Sequence, residues 1–497
     1  MHFNLSIKAE SDKLKFGDEA GLVKFFIEGE NLEKLVDDFF ASFSFPQNMI
    51  QKKSFLDKKN NSLTYYSSFG EPSVIFLQKV KVDKDFSSDF FRDYFAGLLP
   101  TLKSKQIKAV HVIVPAFSHF PGHFISDEYL IQTIVEGIHL GNYTFDKYKS
   151  EKKPKENLQF VLHYSDKSLV NKVIEKANQI MSAVHFTRDL VNEPAITLTP
   201  LEFAKRTKSE LTKLGVKVTV MNKKELQKRK MNAILAVGGA SDHEPLMMVL
   251  EYKPKVSRKK IALVGKGVTY DSGGLSIKPT QSMLEMKADM AGGGCVIGTI
   301  KAAAALKLPV ELIGIVPCVE NMINGLSYKP GDIIISASGK TIEVKDTDAE
   351  GRIILADALH YASKQKPDEI IDFATLTGAI AVALGVIIAG MFTKNDDLAK
   401  RLNDAGDKTF ERLWRMPFSD DYKTMIKSDI ADVSNLGPRW GGAITAGKFL
   451  EHFVDEKIPW AHLDIAGPAI KHDYNNYTKN WDTGFGVRLM TDYLESI

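Results

Sequence analysis

The sequence predicts an α/β protein. A smaller N-terminal α/β domain is joined by a long helix to a larger C-terminal α/β domain with a mostly parallel central sheet. The chain has 497 residues, 44% hydrophobic and 26% charged. These are ordinary globular values, in a length that divides more readily into two cores than one. Short apolar runs alternate with stretches of helical periodicity, the pattern of strands covered by helices on both faces. One uninterrupted helical pattern, residues 165–191, separates two such series.

In the first series, Val74-Ile75-Phe76-Leu77 and residues 109–114 read as strands, because β-branched and aromatic residues run together there. Residues 129–140 have helical spacing. The lysine-rich stretch 147–155 reads as an exposed loop with a solvated surface, ahead of the strand Leu158-Gln159-Phe160-Val161-Leu162. The long pattern that follows places Val170, Val173, Ile174, Ala177, Ile180, Met181 and Val184 on one helical face. It stops at Asn192-Glu193-Pro194, since the residue before a proline disfavours helix. The expected organisation is an N-terminal domain over 1–164, a connecting helix over 165–192 and a second domain over 193–497. In the second series, residues 261–264, 310–316 and 369–373 read as strands, and 292–305 and 352–362 as helices. No internal repeat or low-complexity tract interrupts the alternation.

Bulk properties exclude several classes. The net charge of +3 is too small to imply nucleic acid by itself. Lys52-Lys53, Lys58-Lys59 and Lys152-Lys153 lack interleaved aromatic residues and a helix-turn-helix, so a nucleic-acid partner is disfavoured. The first residues have no apolar run after a basic start, so no signal peptide is expected. Residues 373–392 are twenty without a charge, close to the length of a membrane span. Thr375, Thr377, Gly378, Gly385 and Gly390 argue instead for a strand, a turn and a buried helix, with no membrane partner. Cys295 and Cys318 form no CxxC pair, which suits a reduced, cytoplasmic protein.

The chemistry-bearing residues cluster after strands. Asp346-Thr347-Asp348-Ala349-Glu350-Gly351-Arg352 follows the strand-like run ending at Val344. Lys266 and Asp271 follow the strand ending at Val264, with Lys278 and Asp289 close behind, and Thr375, Thr377 and Gly378 follow the strand ending near Phe373. Ligands of open α/β sheets gather at the carboxyl ends of strands, so three ends deliver polar residues to one rim. Carboxylates converging there would repel each other unless a cation of high charge joined them. Such sites, shared by two divalent ions about 3.5–4 Å apart, are widely used for hydrolysis. Singly, each residue has a plainer account. Asp348 and Glu350 suit a helix N-terminus, Asp271 a turn and Asp289 a helix surface. The chain lacks GxxxxGK[ST], and His243-Glu244-Pro245 does not continue to HExxH, so neither a phosphate loop nor a single-zinc protease is supported. A two-metal hydrolase remains, acting on a peptide or on another substrate such as a phosphoester.

The combination resembles the leucyl aminopeptidase family of two-metal cytosol aminopeptidases. Asn192-Glu193-Pro194, Leu198-Thr199-Pro200, Lys329-Pro330-Gly331-Asp332, Ala374-Thr375-Leu376-Thr377-Gly378-Ala379, Gly442-Ala443-Ile444-Thr445-Ala446 and Trp460-Ala461-His462-Leu463-Asp464-Ile465-Ala466-Gly467 match its signatures, over roughly residues 185–490. The resemblance implies a cytoplasmic metallo-exopeptidase that releases leucine and other apolar N-terminal residues from peptides, working as a homohexamer. It implies that Asp271 and Glu350 bridge two metals, that Lys266, as a neutral amine, and Asp289 complete the tighter site, and that Asp348 completes the more exchangeable one. The ions would be zinc or manganese, with magnesium or cobalt as alternatives at the exchangeable site. Lys278 would polarise the scissile carbonyl, and Arg352 would hold a bicarbonate that serves as general base. Met286, Thr375, Gly378, Ala466 and Ala469 would line the pocket for the first side chain. Two departures stand out: Asp346 where the family usually has asparagine, and Glu193 where small residues are frequent.

Overall fold

The computed structural model describes residues 3–11, 14–17, 19–29, 31–42, 49–57, 59–66, 72–151 and 154–497. They fall into two compact units, Met1–Met181 with Asn475–Tyr477, and Ser182–Tyr474 with Thr478–Ile497.

In the first unit, β1 (Phe3–Glu10), β2 (Ala20–Ile27), β3 (Ser62–Tyr66), β4 (Val74–Val80), β5 (Ala109–Ile113) and β6 (Glu156–His163) form a sheet of order β1-β6-β5-β2-β4-β3. All neighbours are parallel except β3 on β4. Side chains of β2 alternate between the two faces, as a strand with both faces covered requires. Leu22 and Phe26 pack with Val36 and Phe39 of α1 (Leu32–Ser42) and Phe55 of α2 (Met49–Leu56). Val23 and Phe25 pack with Phe91 and Phe95 of α3 (Phe90–Ser104) and Ile134 of α4 (Asp127–Asn142). Ser126 caps α4, its Oγ accepting from Tyr129 N at 3.2 Å. β4, β5, β6 and α4 lie where the sequence places them. The described part of 147–155 is exposed and irregular. Lys152, Lys153 and Lys58 lie outside the described residues. Lys52 is answered by Asp37 at 2.6 Å and Glu33 at 3.4 Å, so its charge is paired.

The long helix is α5 (Lys167–Asn192), and the division between the units falls within it, after Met181. Val170, Val173, Ile174 and Ala177 belong to the core of the first unit.

In the second unit, β7 (Lys217–Met221), β8 (Leu246–Tyr252), β9 (Lys260–Gly265), β10 (Gly267–Asp271), β11 (Glu311–Asn321), β14 (Glu369–Ala374), β15 (Ala389–Phe392), β16 (Leu413–Arg415) and β18 (Trp460–Asp464) make a nine-stranded sheet. Its order is β16-β15-β18-β14-β9-β11-β8-β7, with β10 paired to β11. The central strands β18, β14, β9 and β11 are parallel. A three-stranded sheet joins β12 (Ile333–Ile335), β13 (Thr341–Glu343) and β17 (Val433–Ser434). The helix Ala291–Leu306 covers one face of the large sheet through Cys295, Val296 and Ile300. The helix Glu350–Lys364 covers the other through Ile353, Ile354 and Leu359. Both faces are therefore apolar, and Ile261, Ala262, Leu263 and Val264 of β9 are fully buried.

The structure corrects one expectation. The uncharged stretch 373–392 contains the end of β14, a short helix Gly378–Leu384 and then a further strand, β15. That helix is not buried: Ile380 alone is, packed with Phe392, Ala443 and Ile444, while Val382 is 90% exposed. Ala379 and Leu384 are partly buried against the same cluster, while Val382 and Ala383 face outward. Among the described residues, no helix is long and apolar enough to cross a membrane. Cys295 and Cys318 are free and buried.

Candidate metal centre

β9 and β14 are parallel neighbours whose onward connections run opposite ways, β9 by way of β10 toward β11 and β14 toward β15 and β18. Such a divergence opens a crevice at the carboxyl ends of the strands. Lys266 sits at this point, its N donating to Phe373 O of β14 at 3.0 Å and its O accepting from Gly293 N at 2.7 Å. A Cβ on Gly292 would lie 2.1 Å from Phe373 O, so only glycine lets this helix start so close to the strand.

The predicted acids converge. Ligand oxygens of Asp271, Asp348 and Glu350 lie within 4.8 Å of one another. Lys266 Nζ lies 2.7 Å from Asp289 Oδ1 and 2.8 Å from Glu350 Oε1, and donates to Thr375 O at 3.0 Å. Lys278 Nζ lies 2.9 Å from Asp271 Oδ2 and 2.5 Å from Asp348 Oδ1. Thr375 Oγ1 donates to Asp289 Oδ1 at 2.8 Å. These contacts join six of the seven predicted metal-binding and catalytic residues, and Arg352 lies two residues beyond Glu350 on the same helix.

The electrostatics call for a cation. Four carboxylates face two ammonium groups at this centre, and were all ionised two negative charges would stand uncompensated in buried surroundings. Burial, then the Asp271 carboxylate, pushes the Asp348 acid up to about 7. Burial and then Asp271 also raise Glu350. Burial holds Asp289 well above the usual carboxylate range, against the pull of Lys266. Burial opposes the charge on Lys266 and Lys278, but the surrounding carboxylates prevail and raise both ammonium groups. Asp289 Oδ2, a buried oxygen, has no hydrogen-bond partner; Asp348 Oδ1 and Glu350 Oε1 meet only the ammonium groups, without hydrogen-bond geometry. An oxygen-rich set of this kind, with one amine, fits divalent ions. Burial lowers the Arg352 guanidinium to about 10, so it stays charged at neutral pH, and its buried Nε is unpartnered. That group fits a small oxyanion.

Other residues hold the ligands in place, and no motif announced Asn321 or Asn435 among them. Asn321, fully buried at the end of β11, donates from Nδ2 to Asp271 Oδ1 at 2.8 Å and to Thr347 O at 3.0 Å. Thr347 Oγ1 donates to Gly273 O at 2.7 Å and accepts from Ser276 N at 2.8 Å. It thus ties the Asp271 loop to the Asp348 loop. Asn435 Oδ1 accepts from Lys345 N at 2.7 Å, its Nδ2 donates to Asp346 O at 2.6 Å, and its backbone O accepts from Arg352 Nη1 at 2.8 Å. Asp346 Oδ1 accepts from Asp348 N at 2.9 Å, so the acid replacing the usual asparagine shapes the ligand loop. Glu193 pairs with Arg206 at 2.5 Å, which answers its charge locally.

The expected pocket residues are less uniform. Thr375 is bound to Asp289, and Met286 lies in the short turn Met286–Ala288 immediately before it. Gly378 is exposed, and a Cβ there would meet nothing within 4 Å. Ala466 is partly buried beside Ile380 and Phe392, whereas Ala469, at 2% exposure, is packed into the core.

Comparison with known proteins shows the family. The profile of the cytosol aminopeptidase family, catalytic domain, matches residues 185–491. A probable cytosol aminopeptidase of Chloroherpeton thalassium is 46% identical over 388 residues, covering 75% of this chain and 76% of its own. One from Persephonella marina is 38% identical over 496 residues, covering 99% of each. Among solved structures, a mutant of tomato leucine aminopeptidase superposes with a TM-score of 0.85 at 31% identity, covering 100% of this chain and 97% of its own. The bottromycin maturation enzyme BotP in complex with Mn gives 0.84 at 29% identity, covering 97% and 99%. The chain belongs to the cytosol aminopeptidase family and is a peptidase hydrolase.

Proposed function

We propose that the protein is a two-metal aminopeptidase that removes leucine and other apolar residues from the N-termini of peptides. The observation that carries this is the convergence of Asp271, Asp348 and Glu350 on oxygens within 4.8 Å, beside Lys266 and Asp289, where two charges would stand uncompensated were all the acids ionised. In this reading two metals would be held by Lys266 and Asp289 at one site and by Asp348 at the other, with Asp271 and Glu350 shared between them. The ions are zinc or manganese, with magnesium or cobalt able to enter the second site. Bound there, two divalent ions supply a water of lowered pKa and a Lewis-acid contact for the peptide carbonyl.

The chain's own groups do the rest. Lys266 gives up its proton to serve as an amine ligand. Lys278, released from Asp271 and Asp348, keeps its charge and meets the oxyanion that develops on the scissile carbonyl. Arg352 holds a bicarbonate, which supplies a proton acceptor, with Asn435 O fixing one arm of the guanidinium. Met286, Thr375, Gly378, Ala466 and Ala469 offer an uncharged wall to the first side chain, so an acidic one would enter without a partner.

The working form is a cytoplasmic homohexamer. Large apolar side chains left on the surface of the second unit support an assembled state: Ile196 and Val382 are 90% exposed, Leu326 76% and Trp440 75%. The catalytic segment is residues 193–497, preceded by the connecting helix 165–192 and an N-terminal domain over 1–164. The test is hydrolysis of a panel of aminoacyl amides after chelation and re-addition of Zn²⁺, Mn²⁺, Co²⁺ or Mg²⁺. Activity should vanish and return with metal. Undiminished turnover of leucinamide in the chelated protein would refute the proposal.

A further inference from the structure

The crevice at diverging strands, which holds the carboxylates in the second unit, has a counterpart in the first. There the chain leaves β2 through α1 and α2 toward β3 and β4, and leaves β5 through α4 toward β6 on the opposite side. α1 and α2 pack on the face carrying Leu22 and Phe26, α4 on the face carrying Val23 and Phe25. β2 and β5 are nonetheless parallel neighbours, Leu22 against His111 and Val23 against Val112. Their carboxyl ends therefore part. A cleft of about 720 Å³ opens there, between Phe25-Phe26-Ile27 of β2 and Val114-Pro115-Ala116 just beyond β5. Small-molecule sites typically span about 300–1,000 Å³ and combine apolar walls with a few convergent polar groups.

The lining has that character. The sheet side is apolar, and the cations come from two directions. Lys24 Nζ stands 5.7 Å from the centroid of the Phe26 ring, and Lys34 lies on the first turn of α1. Lys34 has no ion-pair partner among the described residues. Asn31, just before α1, accepts from Lys34 N through Oδ1 at 3.4 Å, so the amide end of that helix also borders the cleft. His119 adds a third nitrogen group, and Asp38 is the acid among the lining residues. The family profile begins only at residue 185, after every residue that lines this cleft.

We propose that this cleft is a second ligand site, separate from the peptidase centre, for a small organic anion. A phosphate or carboxylate head would lie against Lys24, Lys34 and the start of α1, and a flat apolar body against Leu35 and Pro115. Binding brings opposite charge to Lys24 and Lys34 and covers the exposed apolar surface of Leu35 and Pro115.

The test uses the full-length protein with phenyl phosphate and, in parallel, benzoate. Calorimetric titration is combined with hydrogen–deuterium exchange read by mass spectrometry. One equivalent per chain is expected to bind and to slow exchange in residues 34–39 and 114–119, with residues 264–289 and 346–352 unaffected. Binding of phenyl phosphate alone assigns a phosphomonoester, and binding of both probes assigns organic anions generally. Lys34→Glu should weaken binding about tenfold, the size of turning one partly exposed attraction into a repulsion. Ala116→Trp should abolish it by filling the cleft. Both variants should hydrolyse leucine p-nitroanilide at the wild-type rate. Absence of protection with either probe, or protection that persists undiminished in both variants, overturns the proposal.

Discussion

Gly351→Ala is a small change with a large expected consequence. A Cβ at this position would lie 2.6 Å from Lys266 Cε and 2.7 Å from its Nζ. Ordinary contacts between such atoms begin near ~3.5 Å, so the lysine must retreat by about 1 Å. It has no room to do so freely. Lys266 is 3% exposed, and its Nζ is already 2.7 Å from Asp289 Oδ1 and 2.8 Å from Glu350 Oε1. A displacement of about 1 Å in a catalytic constellation can lower the rate by roughly 10²-fold. The backbone should tolerate the change, because Gly351 is helical and alanine there favours the fold by about 0.4–1 kcal/mol. We therefore expect kcat/KM for leucine p-nitroanilide to fall about 10²-fold, with the thermal midpoint unchanged or slightly raised. Steady-state kinetics and a melting curve on the same preparation provide the check. Wild-type kcat/KM would refute the reasoning that the position of Lys266 controls the site. So would a steep loss of stability, since the clash would then be acting on the fold.

Lys278→Ala and Arg352→Ala should keep the metal content of the wild type while losing about 10²–10³-fold in kcat, the usual effect of removing one oxyanion donor; loss of both ions from either variant, read by elemental analysis, would show a structural role instead. Across Leu, Phe, Ala and Asp amides at one metal and pH, kcat/KM should be highest for leucine and lowest for aspartate, with alanine roughly 10–200-fold below leucine; a preference for aspartate would sink the pocket assignment. Light scattering should give the mass of six 55.3 kDa chains, and a value near one chain at working concentration would count against the hexamer.

Much of the fold could be read from local pattern. The strands at 74, 109, 158 and 369 and the helix ending at Asn192 stood out because burial on both faces leaves continuous apolar runs, and because proline ends a helix in a definite place. β1 was legible yet passed over: Phe3, Leu5, Ile7 and Ala9 alternate with polar residues along a strand at the sheet edge. The helix Gly378–Leu384 was misread for a different reason. An uncharged sequence reports that apolar surface exists, not whether this chain or another molecule covers it. The acids of the site were legible because each follows a strand and their crowding has few chemical explanations. Asn321 and Asn435 were not, nor was the role of Thr347 within the acidic run. The two asparagines reach the centre from elements remote in sequence, through bonds with no characteristic spacing, such as that between Asn435 and Asp346 across 89 residues. Glycine spacing concealed information of another kind, since Gly292 and Gly351 are required by atoms of Phe373 and Lys266 that only the folded chain brings near.

The central claim is that two divalent ions held by these acids perform the hydrolysis. The most direct measurement is metal per chain, by elemental mass spectrometry, set against leucinamide turnover for wild type, Asp271→Ala and Glu350→Ala purified side by side. Two ions per active wild-type chain are expected, with both ions and turnover lost together in either variant, because each acid is proposed to serve both sites. Full turnover in Asp271→Ala or Glu350→Ala with the metal content of the wild type would contradict the account.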